Sequence, residues 1–470
     1  MLDKARKMQQ QLIKWRRDFH MHPELGFQET RTSAIVADAL EILGYCVRRN
    51  VGSTGVVADL GSGEPVIAIR ADMDALPIQE INDAPYVSQN PGVMHACGHD
   101  AHTAMALGAA TLLAEEKFPG TVRFLFQPSE EAGDAEGISG APHMIRDGAM
   151  EGVEMVIALH VDPATPVGDI RLESGPASGG VDSWFGSIIG KGGHGAHPHE
   201  TIDPIFISAH VIFALNGIVS RRLHPFSPAV VSIGAIHAGQ AENVIPAQVD
   251  FAGTLRYTEH KVQEQIHTEI ERAFALARAL GGDYELRFEI GNPPMQNHPA
   301  AVELIRLAAV KLLGEEHVLP MKKELGAEDF GCFSEVAPGA MFALGTRIEG
   351  DQRRDVVGIA FTDRAHELVG VCSLMATKAG GITTAECLAK GTPMVILRPV
   401  PGQEAGNAEH FAAERAAVVT HNTDDLISHI SRLLRDPQQL KQMSENARRL
   451  YRPAGETIVQ AVRSAVSGRS

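Results

Sequence analysis

Between Lys4 and Ala39, apolar positions recur at helical spacing among scattered charges, and the pattern is broken at Pro23 and Gly26. Beyond it the rhythm changes. Short apolar runs, among them 66–69, 122–126 and 155–159, alternate with helical stretches, the βαβ spacing of a largely parallel, buried sheet. Each run is followed at once by residues capable of chemistry: Asp72 and Asp74, then Glu130 and Glu131, then His160. Sites in such sheets lie outside the carboxyl ends of the strands, so the three runs predict one edge where these groups gather.

Between about Ser178 and Glu289 the character shifts to alternating strands, such as 230–234 and 249–255, flanking helical segments at 203–220 and 261–279. This pattern suits a smaller α+β domain inserted into the first. Asn292-Pro293-Pro294 marks the return, leading to a helix around 300–313 and a strand near 340–344. After Gly350 a further αβ succession begins, ends in two or three polar helices, and carries Gly380-Gly381 and Pro401-Gly402 as turn markers. The expected division is a discontinuous domain of residues 1–177 and 291–354, an inserted domain at 178–290, and a separate segment at 355–470.

Composition narrows the functional classes. A chain of 470 residues exceeds one core. Its formal charge of −16 argues against nucleic acid or an anionic membrane as partner, since both need basic patches. The opening MLDKARKMQQ reads as a charged amphipathic helix rather than a signal peptide, and no window is expected to span a membrane. The five cysteines are scattered and odd in number, which favours reduced thiols in a cytoplasm. Twenty-one histidines, several of them clustered, hint at metal.

Two clusters carry the chemistry. In His95-Ala96-Cys97-Gly98-His99-Asp100-Ala101-His102, a thiolate and an imidazole separated by one glycine can point into one metal site. A buried cysteine in a His-rich loop, or a nucleophilic cysteine, would read the same way. In Gln127-Pro128-Ser129-Glu130-Glu131-Ala132-Gly133, one carboxylate can bind a metal while its neighbour shuttles a proton, the pairing that hydrolysis needs. A solvated acidic loop is the plainer alternative, and for His160 a satisfied core histidine.

Residues 1–350 resemble the M20 family of metallopeptidases, in its aminoacylase and hippurate-hydrolase branch. The matching stretches are RDFHMHPELGFQE at 17–29, RADMDALP at 70–77, MHACGHDAH at 94–102, Gln127 to Gly133, ALHV at 158–161, GKGGHGAHPH at 190–199, ENVIP at 242–246 and AEDF at 327–330. The resemblance implies an α/β, metallo-exopeptidase-like catalytic domain with an inserted α+β lid and dimerisation domain, acting on N-acyl amino acids or similar small amides. It implies that Cys97 bridges two divalent ions (Zn²⁺, Mn²⁺ or Co²⁺), with His99, Glu131 and His160 as further ligands and Glu130 as general base and acid. Asp74 would orient a ligand. His194 would reach the site of a neighbouring subunit in a homodimer and polarise the scissile carbonyl, with Asn243 near the substrate. Arg256 suits a substrate carboxylate, which arginine grips with two donors.

The sequence departs from the family at one point. Comparable members carry a further histidine ligand shortly after a stretch like 344–350, whereas this chain continues Asp351-Gln352-Arg353-Arg354-Asp355. His366, His410, His421 and His429 match nothing there. One metal position would lack a ligand, or a single ion would be held. Residues 356–465 resemble the second half of the nucleotide-sugar domain of two-domain glycosyltransferases of the MurG and diacylglycerol glycosyltransferase group, a partial Rossmann-like (GT-B) segment. TKAGGITTAE at 377–386 and PGQEAGN at 401–407 carry it. Gly381 and Thr383 would receive a diphosphate at a helix N-terminus, Glu386 the ribose, and Gln403, Glu404 and Asn407 the sugar and phosphates. The leading expectation is a metal-dependent amidohydrolase. The alternative is a UDP-sugar-binding module fused to an inactive hydrolase.

Overall fold

A computed structural model describes residues 1–348, 365–397 and 403–451. The chain divides into two compact units, Met1–Asp351 and Gln352–Ser470.

The first unit is built on an eight-stranded sheet in the order Cys46–Val51, Gly55–Ser62, Gly120–Gln127, Val66–Asp72, Val153–Pro166, Gly339–Arg347, Ile170–Arg171, Val318–Leu319. The three apolar runs read from sequence lie in Val66–Asp72, Gly120–Gln127 and Val153–Pro166, and these pair in parallel with one another and with Gly339–Arg347. The sheet is mixed rather than parallel throughout, because Cys46–Val51 and Gly55–Ser62 form an antiparallel hairpin that pairs against Gly120–Gln127. The parallel centre is covered on both faces. Along Gly120–Gln127, Phe124 and Phe126 enter a cluster with Phe19, Leu40 and Leu107, while Leu125 enters the opposite one with Val57, Met144, Phe330 and Phe333.

Parallel alignment puts the carboxyl ends on one edge. Asp72 stands level with Gln127, and Arg70 with Ala158. His160 does not terminate its strand, as its apolar run suggested; the strand runs on to Pro166 because Gly339–Arg347 pairs with it that far.

Residues between Gly180 and Ile290 form a four-stranded antiparallel sheet, in the order Ala229–Ala238, Gln248–Tyr257, Gly180–Ile189, Asp283–Ile290. Helices Pro204–Arg221 and His260–Phe274 pack on it around Trp184, Ile188, Phe251, Tyr257 and Phe274. Gly253 leaves room for the Trp184 indole, since a Cβ there would lie 2.1 Å from a ring carbon. Against the expectation that no segment has membrane-spanning character, Pro204–Arg221 is long and apolar enough by length and composition. One face of it, carrying Ile207, Val211, Leu215 and Ile218, is buried against the sheet, which is why so apolar a helix arises here.

The second unit has three parallel strands, Met375–Thr377, Met394–Leu397 and Ala417–Thr420. They alternate with helices Ala365–Val371, Gly381–Lys390 and Gln403–Ala413, followed by the helices Thr423–Leu434 and Pro437–Leu450. Its core holds Val369, Cys387, Met394, Ile396 and Phe411. The first of its motif helices starts two residues before Thr383, capped by Gly380.

Candidate metal and hydrolytic site

Helix His99–Ala114 starts at the carboxyl edge of the sheet, and Gly98 makes that start possible. Its φ of +96° lies in the left-handed region, and a Cβ would meet Val161 Cγ2 at 2.4 Å. The resulting bend leaves Cys97 partly exposed and His99 fully buried.

Cys97 Sγ lies 3.3 Å from His160 Nε2. The other ring nitrogen of His160, Nδ1, lies 2.8 Å from the Val161 carbonyl and donates to it, which frees Nε2 to act as a ligand. His99 is oriented in the same manner, its Nδ1 lying 3.1 Å from Asp74 Oδ1. The second Asp74 oxygen accepts the Glu131 backbone N–H at 3.0 Å, so one carboxylate holds two of the sequence-predicted ligands in register. His99 Nε2 is buried and has no hydrogen-bond partner among the described residues; Asp72 Oδ2 and Glu131 Oε1 stand 3.8 and 3.9 Å away.

An unpaired buried ring nitrogen costs free energy unless something occupies its lone pair. Cys97, His99 and His160 bring their donor atoms within 4.8 Å of one another, and so do His99, Glu130 and Glu131. Sulfur, imidazole nitrogen and carboxylate oxygen together suit a transition-metal ion, so the residues present fit one. His102, in the same motif, is different: it is bonded to Asp72 Oδ1 at 2.6 Å and to the Val161 N–H at 3.0 Å, and both nitrogens are used.

Behind these donors lies a second layer centred on Arg70, which is wholly buried. It donates to Gln127 Oε1 at 2.7 Å, to Asp72 Oδ2 at 2.5 Å, and to Glu328 Oε1 and Asp329 Oδ1 at 3.0 Å each. Burial alone would push the Asp72 carboxyl up, but Arg70, His99 and His102 hold it well below the usual carboxylate range. Glu130 is pushed the other way. Burial, then the charges of Glu328 and Asp329, raise its carboxyl well above the usual range against the pull of Arg70 and His99. Burial would likewise lower His160, yet the hydrogen bond to Cys97 and the charge of Asp72 bring it up to about 9. A negative field that raises His99 and His160 favours a divalent cation in the same place.

A cavity of about 310 Å³ opens beside His160, lined by Val161, Met295, Met321, Lys322, Glu328 and Met341 among others.

His194 and Asn243 come together elsewhere, on a two-stranded pairing of Gly193–His194 with Val244–Ile245, where the Gly195 N–H donates to the Asn243 carbonyl at 2.8 Å. His194 Nδ1 accepts the Ala196 N–H at 3.1 Å, which leaves the proton on Nε2. Arg256 lies on Gln248–Tyr257 and donates to Thr254 Oγ1 and the Leu255 carbonyl. Among the described residues, no hydrogen bond or ion pair joins His194, Asn243 or Arg256 to the Cys97 group. In the second unit, Asn407 Nδ2 donates to the Ala379 carbonyl at 3.0 Å, tying helix Gln403–Ala413 to the glycine turn before Gly381. Thr383 and Glu386 lie on that turn's helix, and Gln403 and Glu404 open the other. The Gln403 side chain, Pro401, Gly402 and residues 351–355 lie outside the described residues, as does the His366 side chain.

Sequence comparison settles the family. The model of "Peptidase family M20/M25/M40" matches residues 68–354. The chain belongs to this family. A thermostable carboxypeptidase of Saccharolobus solfataricus is 40% identical over 353 residues, covering 73% of this chain and 88% of that one. An N-acyl-L-amino acid amidohydrolase of Geobacillus stearothermophilus is 44% identical over 292 residues, 61% of this chain and 78% of that protein. Among solved structures, the YXEP protein of Bacillus subtilis, described as a dinuclear metal binding peptidase from the M20 family, superposes with a TM-score of 0.64. It is 35% identical, with 73% of this chain and 90% of that one covered. The "Glycosyltransferase family 28 C-terminal domain" model matches residues 338–458, overlapping the end of the M20 match.

Arg70, Gln127, Glu328 and Asp329 are the parts of this M20 site that the sequence reading left without roles. One signal was available: Arg70 is a charge inside an apolar strand, and a buried charge has to be paired.

Two outcomes follow. Asp74→Asn, which puts an amide N–H₂ opposite a backbone or ring N–H, lowers metal affinity by about 10–100-fold in a chelator competition; unchanged affinity would remove Asp74 from the orienting role. Glu328→Gln deletes a negative charge that raises Glu130, so the acid limb of the kcat/KM profile moves to lower pH. A limb that stays in place, or moves up, would show that Glu328 does not act on Glu130.

Proposed function

We propose that this M20 member is a metal-dependent amidohydrolase that releases an amino acid from an N-acyl amino acid or similar small amide. The observation that carries the reading is the buried, unpartnered His99 Nε2, set among Cys97, His160 and Glu131 and within reach of the raised carboxyl of Glu130. Cys97, His99, Glu131 and His160 would hold two divalent ions, Zn²⁺, Mn²⁺ or Co²⁺, in keeping with the dinuclear Bacillus subtilis relative. When bound, such ions supply Lewis acidity at the scissile carbonyl and at water. The further family histidine has no counterpart at Asp351-Gln352-Arg353-Arg354-Asp355, so one ion would be held by one donor fewer, or a single ion would be held.

Glu130 takes the proton of the attacking water on a carboxylate oxygen and passes it to the leaving nitrogen. A carboxyl raised by burial serves both halves of that exchange, because it holds a proton at a pH where an ordinary carboxylate does not. The cavity beside His160 receives the substrate, with Met295, Met321 and Met341 offering adaptable apolar contacts and Arg171 and Lys322 offering positive charge.

His194 acts from a second copy of the chain, its Nε2–H donating to the scissile carbonyl, with Asn243 beside it and Arg256 on the substrate carboxylate. Residues 178–290 form the lid and the pairing surface. Helix Pro204–Arg221 leaves Phe206 and Phe213 exposed, and Ala229–Ala238 is an edge strand of its sheet. Both features suit pairing between copies. The unpaired cysteines agree with a reducing cytoplasm.

A second reading concerns residues 356–465. The bond from Asn407 to the Ala379 carbonyl joins one residue of the second glycosyltransferase-like motif to the turn before helix Gly381–Lys390, which supports a diphosphate site at that helix N-terminus.

Release of amino acid from N-acetyl and N-benzoyl amino acids, assayed with each metal and with a chelator control, tests the first reading. Turnover is expected to need metal and to fall about 10²–10⁴-fold in Glu130→Ala. Folded protein without turnover under any metal would sink it. UDP raises the melting temperature if the second reading holds; no shift at millimolar UDP would end it.

A further inference from the structure

The loop that presents Glu130 leaves its strand at Gln127 and turns through Ser129, whose φ is +45°. That left-handed conformation costs a side-chain-bearing residue roughly 1–2 kcal/mol, so it persists only where the surroundings impose it. Here they act on three sides. The Ser129 N–H donates to Glu29 Oε1 at 2.8 Å, its carbonyl accepts the Gly140 N–H at 2.8 Å, and its hydroxyl donates to the Ala132 carbonyl at 2.7 Å.

Glu29 is the unusual member. It precedes helix Thr30–Ile42, far from the Glu130 loop in sequence, and is fully buried. Its second oxygen accepts the Thr54 hydroxyl at 2.5 Å. No cation pairs with it among the described ion pairs. Burying a carboxyl without a countercharge is expensive, and the M20 chemistry derived above makes no use of it. Gly26 lets its segment come close, since a Cβ there would lie 2.2 Å from Ser129 Oγ.

We propose that Glu29 is a positioning residue for Glu130: its carboxyl holds the Ser129 peptide in the strained turn that aims the next side chain at the reacting water. This rests on the hydrolase reading for Glu130. The task is one of shape, because both bonds to Glu29 need an acceptor toward Ser129 and a polar group toward Thr54. A glutamine offers both, its carbonyl to the Ser129 N–H and its amide to the Thr54 oxygen. Leucine, of similar size, offers neither.

The experiment compares Glu29→Gln, Glu29→Leu and Glu29→Asp in the metal-loaded full chain. Readouts are kcat and KM for an N-acyl amino acid, bound metal per chain, and hydrogen exchange of the Ser129 amide. Glu29→Gln keeps wild-type kcat and a protected amide. Glu29→Leu loses about 10²-fold in kcat, the cost of a misaimed catalytic group, with KM and metal content unchanged and the amide exposed. Glu29→Asp, one methylene short of Ser129, falls in kcat as well and decides the matter if the leucine variant does not fold. Wild-type kcat in folded Leu or Asp variants overturns the proposal. Equal losses in the Gln and Leu variants, or a fall in kcat that follows loss of metal, also overturn it. If the unmodified chain turns over no substrate, the hydrolase reading fails by itself. The exchange data still judge the clamp, and an amide equally protected in all variants rejects it.

Discussion

Arg70 is a cation with no water around it, and the carboxyl edge of the sheet is organised by that fact. Burial alone would lower its pKa; the charges of Asp72, Glu328 and Asp329 outweigh the burial and push it up. Its planar fork reaches a neighbouring strand through Gln127, its own strand through Asp72, and the start of helix Phe330–Val336 through Glu328 and Asp329. Removing one partner would leave charge buried and uncompensated, which costs more than the pair itself contributes. The network therefore defines where strands 66–72 and 120–127 end relative to residues 328–329, and the Glu130 loop starts from that fixed frame.

Two layers of second-rank bonds then divide the work. Asp74 faces the candidate ligands, bonded to the His99 ring and the Glu131 peptide. Gln127 and Asp329 face Glu130: Gln127 donates to both Asp329 oxygens, and the Asp329 N–H lies 3.5 Å from Glu130 Oε1. The adjacent carboxylates of Glu130 and Glu131 thus differ because they are held by different neighbours. Glu130 is partly buried with negative charge beside it and is pushed up; Glu131 is more open, its side chain 24% exposed.

How much of this was legible in the sequence depends on how far apart in the chain the partners lie. Cys97, Gly98 and His99 are contiguous, and a glycine between two ligand types announces a bend, which the positive φ of Gly98 shows. Asp74 and Glu131 follow parallel strands that end on one edge, whereas His160 joins them from inside a strand that runs past it. The hairpin of Cys46–Val51 and Gly55–Ser62 escaped notice because Arg48, Arg49 and Asn50 break its alternation of apolar and polar positions. The extension of the His160 strand to Pro166 was set by Gly339–Arg347, a partner no local pattern reveals. The Arg70 partners Glu328 and Asp329, and the bonds from Glu29 to Thr54 and Ser129, are likewise tertiary: one residue explains the other only after the chain has folded.

The charge balance bears on the departure at 351–355. Asp72, Glu130, Glu328 and Asp329 all act on the buried cation Arg70, and Asp74 and Glu131 add further carboxylates beside His99. That excess raises the Glu130 carboxyl and brings His160 up to about 9, and a field of this sign would also favour a divalent cation. The ligand absent under the M20 reading is a histidine, which binds as a neutral imidazole. Its absence would leave the negative field intact, so the attraction for metal would survive; one ion would be held by one donor fewer, with water or another residue in its place, or a single ion would be held.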